Sequence, residues 1–128
     1  MALPDATARL VVFLAHRFDL VDEPIRDRLT APGAPPPSER LLAEGHCSVE
    51  QLNELIRLAD LLTCRHADRG LAGRARDQGL VSEDEISYAF DAQVKAWRES
   101  RTTRSVGAFL VTFGSIDEGQ RRELAADG

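Results

Sequence analysis

The chain has 128 residues, room for one domain core or a core plus an arm, and 43% of them are apolar while Phe, Trp and Tyr together reach only 5%. Such a core is built from Leu, Val, Ile and Ala, which favours helices over a β-sandwich. Sixteen Lys and Arg against twenty-one Asp and Glu leave a net charge of −5 with no long basic run, which argues against a nucleic-acid partner.

From the N-terminus, residues 1–30 read as a helical arm. Its apolar run from Leu10 to Ala15 is far shorter than the roughly 20 residues of a membrane span, and no small-residue cleavage site follows it, so a cytoplasmic protein without membrane insertion is expected. The arm carries a worn copy of a unit that recurs downstream. In that copy Phe18 stands where later copies have glycine, Leu20 is the apolar residue before the cap, and Pro24, tolerated only in a first turn, predicts a helix starting near Asp22. Residues 31–37, rich in proline, are expected to form an extended linker, after which residues 38–128 form the main helical domain.

Within that domain Gly45, Gly79 and Gly114 are spaced by 34 and 35 residues in matching contexts. A glycine just past a helix takes the left-handed conformation that closes the last turn. Three residues on, Ser48, Ser82 or Asp117 accepts from the free N–H groups of the next helix, and Gln51, Glu85 or Gln120 completes a capping box. Cys47 and Val81 precede their caps and are placed to staple onto Leu52 and Ile86, whereas Ile116 faces Arg121, so the last staple is either broken or uses only the arginine stem. Helical spacing then marks Leu52, Leu55, Ile56, Ala59 and Leu62 as one buried face, and Ile86, Ala89, Phe90, Val94 and Trp97 as another. Val94 to Arg104 is expected as a long spacer between the last two copies. The predicted fold is all-α, with repeated helix-turn-helix units forming a small helical bundle.

With the copies aligned, the segment from Val106 through Gly107, Leu110 and Gly114 to Ile116 resembles the repeated motif of the MshEN-type N-terminal domain of type II secretion and type IV pilus assembly ATPases. Gly79, Val81, Ile86, Ala89, Phe90 and Gln93 match that motif's second half. The resemblance spans residues 36–126. It implies a bacterial module in which paired motifs bind cyclic di-GMP, the opening Arg and closing Gln engaging guanine and the leucines contacting the ligand. On this chain the residues that carry over are Arg69, Leu71, Gln93, Arg104, Gly107 and Leu110. The opening Arg position holds Pro36, Gly70 and Ser105 in the three better copies, and only Arg9 of the arm occupies it; Arg69 and Arg104 lie one residue early. No phosphate-binding Gly-x-x-x-x-Gly-Lys-Ser/Thr loop is present, so the ATPase that follows such domains is not encoded in these residues.

Other candidate chemistry is weaker. His46, Cys47, Cys64 and His66 invite zinc, but the pairs are adjacent or one apart and Cys47 serves as a staple, so no metal site is expected. Reduced thiols suit the expected compartment. No nucleophile has a base dictated by spacing, and no catalysis is expected. Glu83, Asp84 and Glu85 fit the first turn of a helix. Arg98, Arg101 and Arg104 recur every third residue as a small basic strip, and Trp97 continues the core stripe. The expected function is a non-enzymatic regulatory or adaptor module acting through protein–protein interaction, with a partner from a secretion, pilus or motility system; the alternative is a cyclic di-GMP receptor, and self-association is left open.

Overall fold

The computed structural model describes residues 5–126, in which seven helices and no strand occur. They are α1 (Asp5–Arg17), α2 (Glu23–Leu29), α3 (Pro37–Ala43), α4 (Val49–Asp77), α5 (Glu83–Ser100), α6 (Val106–Thr112) and α7 (Glu118–Ala126). The chain divides after Asp60, within α4, into two compact units. Residues 31–37 lie inside the first unit rather than at its border.

Unit 1 holds α1, α2, α3 and the start of α4 around Val11, Val12, Ala15, Leu29, Leu41 and Leu55. Unit 2 holds the rest of α4 with α5, α6 and α7 around Leu71, Ala75, Ala89, Val106, Leu110 and Leu124. The two cores follow one plan. Ala8, Val11, Val12, Ala15 and Val21 are buried in the first, and at the same spacing Asp68, Leu71, Ala72, Ala75 and Val81 are buried in the second. Later in each unit Leu41, Cys47 and Leu55 correspond in the same way to Leu110, Ile116 and Leu124.

The turns explain why the plan repeats. At Gly45, Gly79 and Gly114 φ lies between 73° and 78°, and the next residue's N–H reaches back five residues, from His46 to Leu41, Leu80 to Ala75 and Ser115 to Leu110. These are Schellman closures. Ser48, Ser82 and Asp117 each form a complete capping box with Gln51, Glu85 and Gln120. Five residues separate the end of one helix from the start of the next at each turn.

Several expectations need correction. In the worn copy the left-handed residue is Asp19, at φ 61°, and not Phe18; Leu20 N–H bonds Ala15 O, Val21 is the buried residue before the cap, and Asp22 accepts from Ile25 N–H. The copy is therefore shifted by one residue, because Asp tolerates the left-handed conformation that Phe does not. Leu62 is exposed and Leu61 is buried in its place. Residues 31–34 form a turn rather than an extended run, with Ala34 N–H bonded to Ala31 O and Gly33 at φ 78°, as Pro32-Gly33 favours. The spacer from Val94 to Arg104 needs no correction: it is formed largely by the end of α5, which runs to Ser100 and ends on Arg101 in the left-handed conformation. Ser105 is the N-cap of α6, accepting from Ala108 N–H.

No helix among the described residues is long and apolar enough to cross a membrane.

Candidate functional site

Unit 2 contains a buried polar network that begins on α4. Cys64 and Asp68 are one turn apart on the face that also carries Leu61, Leu71 and Ala75, so the fold takes a carboxylate into the core. Asp68 Oδ2 accepts from Gln93 Nε2 at 2.7 Å, from the backbone N–H of Val106 at 3.1 Å and from the Cys64 thiol at 3.3 Å. Val106 opens α6, so Asp68 satisfies one of the free N–H groups of that helix from a distant element. Gln93, fully buried, also donates to the carbonyl of Arg104 at 2.9 Å and accepts from Arg65 at 3.2 Å. Burial together with the neighbouring Asp68 carboxylate pushes the Cys64 thiol up to about 12, and burial raises Cys47 as well. Neither thiol is set up as a thiolate nucleophile or a soft metal ligand.

The six residues carried over for cyclic di-GMP separate in this setting. Leu71, Gln93, Gly107 and Leu110 are buried in the core of unit 2, whereas Arg69 is exposed on α4. A Cβ on Gly107 would stand 3.2 Å from the stem of Arg121 and 3.3 Å from Leu71, so this glycine permits close packing of α6. The Arg104 guanidinium bonds Thr112 Oγ1 at 2.7 Å and lies 4.7 Å from the centre of the Phe109 ring. Gln93 keeps its place, but its donors serve Asp68 and Arg104. Asp68, the hub, has a sequence signal that is easy to pass over: a single charge in phase with an apolar stripe.

Arg9, the one arginine in the family's position, borders a cleft of about 150 Å³ in unit 1 with Ala8, Leu29, Gly33 and Pro37. Here Ala8 occupies the place of Asp68. Pro37 opens α3 without an N–H, so the acceptor that unit 2 needs has no counterpart to serve.

The basic strip does not form as one surface. Arg101 folds onto Trp97, 4.3 Å from its ring, and donates to the carbonyls of Trp97 and Arg98, while Arg104 turns to Phe109. Among the described residues no three His, Cys, Asp or Glu side chains come together as a metal set. His46 faces Glu44 instead.

A second feature lies where the middle helix of each unit meets the short helix after it. In unit 1 Glu44 joins Arg28 at 2.6 Å and Arg40 at 2.9 Å. Arg28 precedes buried Leu29, Arg40 precedes buried Leu41, and Glu44 precedes the turn glycine. The same three places in unit 2 hold Tyr88, before Ala89, Phe109, before Leu110, and Phe113, before Gly114. There the rings of Tyr88 and Phe113 meet edge to face at 5.1 Å, and Phe109 lies 5.9 Å from Phe113. Tyr88 remains 65% exposed and Phe113 44%. Beside them a groove of about 480 Å³ runs along α5 over Ala92 and Ala96, edged by Asp91, Lys95 and Glu99.

No family model, curated protein or solved structure matches the chain.

Proposed function

We propose that the chain is a non-enzymatic regulatory or adaptor module that acts through protein–protein interaction at the Tyr88–Phe109–Phe113 face of unit 2. The observation that carries this is the exchange of a charged clamp for an aromatic one. Unit 1 joins its helices at these three places with Arg28, Arg40 and Glu44 and so exposes no aromatic ring there, although Phe13 and Phe18 are exposed elsewhere in it. Unit 2 uses three aromatic rings at the same places and leaves two of them in solvent. Exposed aromatic side chains next to a groove are what an interface uses as anchors. The resemblance to MshEN-type domains is what supports a partner from a secretion, pilus or motility system.

The test places the charges of unit 1 at the two exposed rings of unit 2, as Tyr88→Arg and Phe113→Glu, and leaves the buried Phe109 in place. The variant is expected to melt within about 5 °C of the parent, since both substitutions fall on exposed rings. Proteins that copurify with the parent from the cells that make it are expected to be lost. Retention of the same partners at the same level would contradict the assignment.

The cyclic di-GMP reading draws on the Arg104 guanidinium stacked on Phe109, an arrangement able to receive a base. Against it, Gln93 is engaged in the core, and the cleft beside Arg9 is about 150 Å³, smaller than the roughly 300 Å³ at which ligand pockets begin. Calorimetry at micromolar protein is expected to give no isotherm with cyclic di-GMP. A micromolar or tighter isotherm, lost in Arg104→Ala, would favour the nucleotide instead.

A further inference from the structure

The groove on α5 has a charge pattern that fits its own copy. Tyr88, Asp91, Ala92, Lys95, Ala96 and Glu99 recur at helical spacing along one face of α5, a stripe roughly 16 Å long at 1.5 Å per residue. Its floor is made by the small Ala92 and Ala96, over which another helix can approach closely. Along the edge the charge alternates: Asp91, then Lys95 one turn on, then Glu99. Among the described residues none of the three makes an ion pair, although Asp91 and Lys95 stand at a spacing that permits one within the helix.

We infer that a second copy of this chain docks on this face, with the two α5 helices antiparallel about a two-fold axis at the level of Gln93. A two-fold axis that exchanges antiparallel helices keeps each edge on its own side and reverses the order along it. At that level Asp91 of each copy stands opposite Lys95 of the other, and Tyr88 stands at the height of Arg98, which borders the same stretch of α5. The contact is isologous, so every favourable pair occurs twice. Registers centred on Lys95 instead oppose like charges, Asp91 to Glu99 and Lys95 to itself, and are disfavoured. The inference rests on the proposal that this face docks a protein, and it names the occupant.

Lys95 is the only lysine in the sequence, which makes the register testable. Sedimentation equilibrium of the full chain over a concentration series is expected to show a monomer–dimer equilibrium. Asp91→Lys and Lys95→Asp, each alone, are expected to raise the dimer dissociation constant about tenfold, because two pairs turn repulsive at once. The double reversal Asp91→Lys with Lys95→Asp is expected to restore it, which separates lost pairing from lost folding. Carbodiimide coupling is expected to join Lys95 of one copy to Asp91 of the other, in a product absent from Lys95→Arg. A chain that stays monomeric, or a dimer indifferent to the reversals, overturns the inference. A photo-cross-linking residue at Tyr88 distinguishes the two levels of failure. An adduct with a different protein overturns self-pairing and leaves the docking face standing, whereas no adduct of any kind removes both.

Discussion

Asp68 is 4% exposed, and its Oδ2 takes hydrogen bonds from three directions, including the first N–H of α6. Removing it leaves Val106 N–H without its side-chain acceptor and the Gln93 amide with only the Arg104 carbonyl for an oxygen acceptor, in a closed core. Asp68→Ala is expected to lower stability by about 2–4 kcal/mol in urea unfolding, within the range for stranding buried polar groups. A loss below about 0.5 kcal/mol, the size of a surface substitution, would mean the network does not hold α6. At Glu44 the Arg28 guanidinium, with Arg40 and His46 assisting, holds the carboxyl at about 2 against its ordinary 4.5. A depressed folded value means that the stabilisation is complete above 4.5 and is lost as pH falls toward 2. Glu44→Gln should therefore flatten the melting temperature against pH across that window and leave no added pH dependence at neutrality.

At the scale of elements, the turn is the instruction most clearly written in the sequence. Gly, apolar residue, cap and Gln or Glu each name one physical requirement, and all three glycine turns close as their residues dictate. In the worn copy aspartate at the left-handed position leaves no glycine to count from, and the apolar pair Leu20 and Val21 permits either register. Gly79→Ala should cost about 1–2 kcal/mol, the penalty for a Cβ in the left-handed conformation. Asp19→Gly should stabilise by up to about 1 kcal/mol at the equivalent turn. Equal effects of one sign at both sites, read by thermal unfolding, would show that the turns are not equivalent. Leu62 and Leu61 illustrate a different limit: two adjacent leucines on a 29-residue helix fit a helical stripe about equally well, and tertiary packing chooses.

At the scale of the whole molecule, the repeat proves to be a pair of four-helix plans, each with its own core, and the four sequence copies fall two to a unit. The candidate site was only partly legible. Gln93, Gly107, Leu71 and Leu110 are singled out by the resemblance, and the fold buries all four in the core of unit 2; from sequence a residue held by packing looks the same as one held by a ligand. The clamp was not legible at all, since Tyr88, Phe109 and Phe113 read as apolar positions of their helices until Arg28, Arg40 and Glu44 are seen in the matching places. That comparison is the ground for assigning the docking role to unit 2 and to its aromatic face. The most direct test places a photo-cross-linking residue at Tyr88 in one variant and at Arg28 in another, with both irradiated in the cells that make the protein. A discrete adduct from position 88 and none from position 28 is the predicted result; equal yields from the two positions, or none from position 88, would contradict the account.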